Sequence, residues 1–199
     1  MSKVLLLLLS LAASFALRAQ EQTALEWQKE MNSEFADSLT SPLTEADRAI
    51  FDGLPFYPID SSYRVRAFLQ LTPDSTPFIM ATTTGRKAHY RQYAWAHFSL
   101  KGDSLKLPIY QSLRLLKKVG YADYLFLPFT DATNGVGSYG GGRYVSLRMP
   151  EEGSKLVIDF NKAYNPYCAY NERYSCPIPP KANHLKVAVE AGVKAPVNH

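Results

Sequence analysis

The side chains best suited to chemistry lie in two segments of the C-terminal half, residues 131–144 and 159–180. Asp131 and Asp159 are carboxylates, and Arg143 stands between them in the sequence. Two carboxylates near an arginine can support general acid–base catalysis on a glycan or another envelope substrate. On this hypothesis seven side chains surround one pocket between the two segments: Asp131, Tyr139, Arg143, Asp159, Asn161, Tyr164 and Asn165.

The same residues also allow a purely structural interpretation. Asp159 and Asn161 lie on one face of a predicted strand, with their Cα atoms about 6–7 Å apart. Arg143 belongs to the preceding predicted strand, so we expect it to pair with Asp159 across a hairpin. Buried polar groups usually serve as one another's partners, and Asp159 and Asn161 would then accept backbone N–H groups of the following loop.

A calcium site is a third possibility for this region. Carboxylate, hydroxyl and amide oxygens are the ligands that calcium prefers, although the spacing here does not match an EF-hand loop. The sequence identifies no cofactor, and it allows calcium through Asp131, Thr133, Asn134, Asp159 and Asn161.

Two other patterns have competing explanations. Residues 135–140 spell the dinucleotide-binding fingerprint, but a strand rather than a helix is predicted after them and no βαβ unit surrounds them. Tyr93 and Trp95, on one face of a long predicted strand, could line a ligand groove. We expect instead that they pack beneath the N-terminal helix, as aromatic rows usually do.

Residues 159–180 form a predicted loop that is too aromatic to be a linker. It contains both cysteines of the chain, Cys168 and Cys176. In an oxidising compartment this pair favours a disulfide, which stabilises the fold by about 2–3 kcal/mol. Two thiols without further ligands at the usual spacing do not favour a zinc site.

The N-terminal sequence predicts export. Residues 1–19 combine Lys3, an apolar stretch too short for a membrane helix, and a cleavage site near Ala19. Cleavage removes Lys3 and Arg18 and no acid, so the net charge of +4 becomes +2. We expect a secreted or periplasmic protein with no membrane span after cleavage. No basic patch or recognised module indicates a nucleic-acid partner.

Hydrophobic periodicity predicts the elements that must position these residues. It predicts one helix over Gln22–Leu39 and a second, Glu45–Phe51, with Thr44 as its cap. From residue 55 the pattern alternates with a period of two, as in strands. The predicted strands are Tyr63–Leu71, Phe78–Thr84, Lys87–Leu100, Ser104–Tyr110, Tyr121–Phe129, Arg143–Met149, Lys155–Phe160 and His184–Glu190.

These elements, without βαβ alternation, predict a mainly β fold: a single antiparallel β-sandwich or barrel-like domain with two N-terminal helices and a long disulfide-tied C-terminal loop. The expected division is a signal peptide over residues 1–19, an N-terminal helix over 20–43, one β-rich domain over 44–194 and a tail over 195–199.

Two motifs in the β-rich domain resemble the domain of unknown function 1684 family. They are DATNGVGSYGGGRY at residues 131–144 and DFNKAYNPYCAYNERYSCPIPPKANHL at residues 159–185. The ending AGVK at residues 191–194 is also similar, with Val193 where many relatives carry an acid. The resemblance implies bacterial export and a shared signature, and it supplies no activity.

Two functional hypotheses follow. The first is a non-catalytic envelope domain that binds a small molecule or glycan between the loops Asp131–Tyr144 and Asp159–Pro180. The alternative is a hydrolase-like enzyme that uses Asp131 and Asp159 with Arg143. An open cleft in which both carboxylates converge would favour the enzyme.

Overall fold

The computed structural model describes residues 23–196, and the predicted signal peptide and its cleavage site lie outside that range. Helix α1 covers residues 23–36, and α2 covers Glu45–Ala49. The Thr44 side chain accepts a hydrogen bond from the Asp47 N–H and caps α2, as predicted. Seven strands follow in the described range: β1 Arg64–Leu71, β2 Phe78–Met80, β3 Ala88–Leu100, β4 Asp103–Ser112, β5 Tyr124–Phe129, β6 Arg143–Arg148 and β7 Lys155–Asp159.

The strands form one antiparallel sheet that curls around its own core, which confirms the mainly β fold. Their order along the sheet is β6-β5-β4-β3-β1-β7, with β2 paired to β3. All but β2 contribute buried apolar side chains to the inner face. Among them are Leu69, Ala96, Ile109, Leu127, Val145 and Ile158.

A β-bulge in β3 decides which of its residues face the core. The register with β4 shifts between Gln92 and Ala94, so the extra residue Tyr93 interrupts the alternation. Ala94 belongs to the inner core, whereas Tyr90 belongs to a separate outer cluster. The periodicity places Tyr90 and Ala94 on one face, and that prediction is wrong because one inserted residue reverses the alternation.

Helix α1 packs on the long C-terminal loop rather than on β3. The Phe35 and Tyr170 rings meet edge to face with their centroids 4.9 Å apart. Trp95 instead lies beneath the Lys106 ammonium group, 4.8 Å from the ring centroid. The expected packing of Trp95 beneath the helix is therefore wrong. No helix within residues 23–196 has the length and hydropathy to cross a membrane.

Two predictions about the C-terminal part of the sheet are also wrong. β7 pairs with β1, at the opposite end of the strand order from β6, so β6 and β7 form no hairpin. Residues 184–190 are not a strand. Their pairing is irregular: the Leu185 N–H donates to the Thr130 carbonyl at 2.8 Å, and the Ala132 N–H donates to the Val187 carbonyl at 3.2 Å.

The glycine-rich loop and the long C-terminal loop pack closely at Gly142. The residue has φ +90°, a backbone region that favours glycine. A Cβ atom there would stand 2.7 Å from the Phe129 carbonyl oxygen and 2.8 Å from Cγ of Pro179. Both the backbone conformation and the close approach of the two loops therefore require glycine.

We predict that Gly142→Ala lowers the free energy of unfolding by about 3 kcal/mol, since the left-handed backbone and the overpacking each cost about 1–2 kcal/mol. Gly85→Ala is the matched control, because Gly85 has φ +75° with no atom within 4 Å of its added Cβ. It should lose only about 1 kcal/mol for the backbone. Urea denaturation of both variants measures the difference, and equal losses would contradict the packing argument.

Candidate functional site

The polar centre of the fold is a buried ion pair between Arg143 at the start of β6 and Asp131. Nη2 of Arg143 lies 2.8 Å from Oδ2 of Asp131, and both side chains have 0% exposure. The same guanidinium donates to the carbonyls of Val189 at 2.7 Å and Ala191 at 2.5 Å. Oδ1 of Asp131 accepts the N–H groups of Thr133 and Val189.

This geometry makes Asp131 and Arg143 partners of the backbone, out of reach of any substrate. Aromatic rings close the remaining sides of the guanidinium: the Phe129 ring centroid lies 5.3 Å from Cζ of Arg143, and that of Tyr57 lies 5.9 Å away. Burial also raises the pKa of the Tyr57 phenol, which Arg143 partly offsets. A catalytic carboxylate must touch the reacting atoms, and this one cannot.

The glycine-rich loop is folded by its own polar side chains. Oδ1 of Asn134 accepts the Asp131 N–H at 2.5 Å, and its Nδ2 donates to the Tyr139 carbonyl at 2.6 Å. The hydroxyls of Thr133 and Ser138 lie 2.7 Å apart in the buried interior of the loop. The oxygens of this loop considered for calcium, those of Asp131, Thr133 and Asn134, are thus used within the loop or by Arg143.

Asp159 and Asn161 form a second, separate polar cluster at the end of β7. Oδ1 of Asp159 accepts both the backbone N–H of Asn161 at 3.1 Å and its side-chain Nδ2 at 2.9 Å. The nearest cation is Arg64 on β1, with its Nε 3.8 Å from Oδ2 of Asp159. Asn161 also binds both backbone groups of Asp60. The expected pairing of Asp159 with Arg143 is wrong, because β1 rather than β6 lies beside β7.

The two carboxylates therefore do not converge on one pocket. No group of three or more His, Cys, Asp or Glu side chains that could hold a metal ion occurs among residues 23–196. Asn165 is buried and donates to the Lys194 carbonyl at 2.8 Å and to the Tyr170 hydroxyl at 3.0 Å. It fixes the C-terminal segment against the long loop.

Tyr139 lies beside the two cysteines, both of which are free thiols in this structure. The Cys168 N–H donates to Sγ of Cys176 at 3.2 Å. The hydrogen bond from the Cys176 side chain lowers the pKa of the Cys168 thiol, and the same contact raises the pKa of the Cys176 thiol. The pair is close without being bonded, so the disulfide stays a prediction.

Tyr164 belongs to a cavity that the sequence did not indicate. We call it the tyrosine cavity: a volume of about 430 Å³ lined by Met31, Glu34, Leu115, Tyr121, Tyr124, Ser146, Tyr164 and Tyr167. Its residues come from α1, the β4–β5 connection, β5, β6 and the long loop, so no single sequence motif contains them. The one sequence signal is the abundance of tyrosine, 13 residues in the chain.

Hydroxyl groups run along the wall of the tyrosine cavity. The Ser146 hydroxyl lies 3.0 Å from that of Tyr124 and 2.8 Å from that of Tyr164. The Tyr167 hydroxyl donates to Oε1 of Glu34. Burial raises the pKa of Tyr164 and of Tyr167, so both phenols stay neutral at physiological pH and can donate hydrogen bonds.

Comparison with known proteins gives a family. Residues 49–194 match the model of the family described as "Protein of unknown function (DUF1684)". The chain belongs to this family. The DUF1684 match includes both polar clusters and the tyrosine residues of β5, β6 and the long loop, and it confirms the resemblance drawn from the two motifs.

A solved structure is similar to this DUF1684 chain. It is the solution NMR structure of the uncharacterised protein from gene locus rrnAC0354 of Haloarcula marismortui. The two share 33% sequence identity over 92% of this chain and 98% of that one, with a TM-score of 0.70. No curated protein matches the chain.

We predict that Asp131→Asn destabilises the fold by about 3–5 kcal/mol, because it leaves the Arg143 cation buried without a counter-charge. Asp123→Asn is the matched control, since Asp123 forms an exposed ion pair with Arg148 at 2.6 Å. Its loss should be below about 1 kcal/mol. Chemical denaturation of the two variants measures both changes in the free energy of unfolding. A loss below about 1 kcal/mol for Asp131→Asn would show that the buried pair is dispensable for stability.

Proposed function

We propose that this DUF1684 protein is an exported, non-catalytic binding domain of the cell envelope. Its ligand is a small neutral molecule rich in hydroxyl groups, such as a sugar unit, held in the tyrosine cavity. The observation that carries the proposal is the convergence of four tyrosines, one serine and one carboxylate on a single cavity. Ligand sites are typically such aromatic concavities with a few polar groups.

The size and lining of the tyrosine cavity suit a mono- or disaccharide. A volume of about 430 Å³ lies within the usual range of small-molecule sites. Its aromatic rings offer flat apolar faces against which the C–H face of a sugar ring can pack. The Tyr121 and Tyr124 rings stand edge to face with centroids 5.8 Å apart, so the aromatic faces of the wall point in two different directions.

The polar groups of the tyrosine cavity match hydroxyls rather than ions. Neutral phenols and a serine both donate and accept, as sugar hydroxyls do. Glu34 is the one acidic side chain among the described residues that line the cavity, and its carboxylate can accept two hydrogen bonds from adjacent hydroxyls. Its negative charge also disfavours anionic ligands.

The proposed ligand class is the one expected from the sequence, but the proposed site is the tyrosine cavity rather than the space between the two loops. Between the two loops Gly142 meets Pro179, and the Tyr144 and Tyr164 rings pack edge to face with centroids 5.8 Å apart. That region is filled by the protein itself. The tyrosine cavity lies beside the long loop, where Tyr164 and Tyr167 contribute to its lining.

Export is part of the proposal and rests on the N-terminal sequence. Lys3, the apolar stretch and the cleavage site near Ala19 support it. Export in turn supports a disulfide between Cys168 and Cys176, since their close approach needs only an oxidising compartment.

We predict that the purified protein binds maltose or diacetylchitobiose, two neutral disaccharides, with NMR shifts confined to the tyrosine cavity. Tyr164→Phe removes one hydroxyl from the wall and should weaken binding about tenfold, the effect of one hydrogen bond. Tyr93→Phe is the control, because Tyr93 packs on the inner core away from the cavity. Absence of binding by both disaccharides at millimolar concentration would refute the proposal.

We also predict that Cys168 and Cys176 resist thiol labelling in protein recovered from the exported fraction and react after reduction. Reduction should lower the free energy of unfolding by about 2–3 kcal/mol, because it frees a short loop in the unfolded chain. Protein retained in the cytoplasm by deletion of residues 1–19 is the control and should label without reductant. Labelling of both fractions alike would contradict the disulfide.

A further inference from the structure

A second cavity, which we call the basic cavity, lies where β3 begins and β4 ends. It has a volume of about 700 Å³, in the usual range of small-molecule sites. The segment leading into β3 supplies Arg86 and Lys87, and the segment after β4 supplies Arg114 and Lys117. Two stretches distant in the sequence thus bring their cationic side chains to one concavity.

The charges around the basic cavity are all of one sign. No acidic side chain lines it among the described residues. Within residues 23–196 none of its cationic side chains forms an ion pair, whereas Arg64, Lys101, Arg143 and Arg148 each have a carboxylate partner. Like charges brought together raise the free energy of the protein, and an anion bound among them would lower it.

The floor of the basic cavity is a buried tyrosine. Burial raises the pKa of Tyr90 to about 12, although the nearby Arg86 and Arg114 guanidinium groups lower it. The phenol is therefore a neutral hydrogen-bond group placed close to two permanent cations. The Arg86 guanidinium is itself held in place, since its Nη2 donates to the Ser175 carbonyl at 3.1 Å.

Three leucines make much of the remaining wall of the basic cavity apolar. Leu113, Leu115 and Leu116 line it beside the cations. An inorganic anion would leave these side chains uncovered, whereas an organic body attached to the anionic group would bury them. Arginine pairs well with phosphate because its planar fork binds two oxygens at once.

We propose that the basic cavity binds a small organic phosphate monoester, with the phosphate between Arg86 and Arg114 above Tyr90 and the organic part against the leucines. This site is independent of the tyrosine cavity. Leu115 lines both cavities. The charged side chain of the tyrosine cavity is the Glu34 carboxylate, whereas those of the basic cavity are cations. Either site can exist without the other.

The test uses phenyl phosphate as the probe, followed by isothermal calorimetry and by NMR shifts of the purified protein. Phenyl phosphate should bind saturably at millimolar concentration, more tightly than inorganic phosphate, which lacks the apolar part, and than phenol, which lacks the charge. Shifts should centre on Tyr90 and Leu115. Absence of saturable binding would overturn the proposal, and so would equal affinity for either fragment.

Two substitutions and a control locate the effect. Arg114→Gln should weaken the binding of phenyl phosphate about tenfold or more, the effect of losing a charge-assisted hydrogen bond, and Lys117→Gln should weaken it less. Arg66→Gln removes the same charge from an exposed position on β1 and should leave the affinity unchanged. Equal losses for Arg66→Gln and Arg114→Gln would show diffuse attraction and overturn the site. Thermal unfolding verifies that each variant is folded.

Discussion

The guanidinium group of Arg143 joins parts of the chain that lie outside the seven strands of the described range. It neutralises Asp131 at the start of the glycine-rich loop and binds the carbonyls of Val189 and Ala191 near the C-terminal end. A buried cation needs a counter-charge and hydrogen bonds to replace its hydration. Here both Nη atoms of Arg143 have such partners, whereas its buried Nε has none among the described residues. In the segment near the C-terminal end, residues 184–190 do not form an eighth strand although their apolar side chains alternate, and the carbonyls of Val189 and Ala191 face Arg143 instead.

This use of Arg143 separates the residues that fold the protein from those that face its cavities. The polar side chains of the two family motifs mostly bind backbone groups: Asp131 and Asn134 close one loop, and Asp159 with Asn161 closes another. The tyrosine cavity is lined by residues outside those clusters, contributed by α1, the β4–β5 connection, β5, β6 and the long loop. The carboxylates that look catalytic in the sequence therefore serve the fold, and most of the hydroxyl groups that line the tyrosine cavity are phenols.

The sequence was sufficient for the strands up to β7 and for the mainly β fold, because each is a local pattern of period two. It was insufficient wherever the position of a side chain depends on residues that are distant in the sequence. The bulge at Tyr93 reverses the faces of β3 without changing the residue types around it. From the sequence, Arg143 could pair with either Asp131 or Asp159. Asp159 is not its partner because β7, which carries Asp159, lies beside β1 rather than beside β6. The bond from Tyr167 to Glu34 joins residues 133 positions apart, which no spacing rule anticipates.

The short turn after β4 gives the two cavities a common wall, and the charged side chains on its two sides differ in sign. Leu115 lies in both linings. On one side the Tyr167 hydroxyl donates a hydrogen bond to the Glu34 carboxylate. On the other side Arg114 and Lys117 present positive charge. Because like charges repel, the Glu34 carboxylate disfavours an anion in the tyrosine cavity, whereas the cations of the basic cavity would attract one. In the two proposed sites, the sign of the charge beside a shared apolar wall would therefore decide which ligand each one accepts.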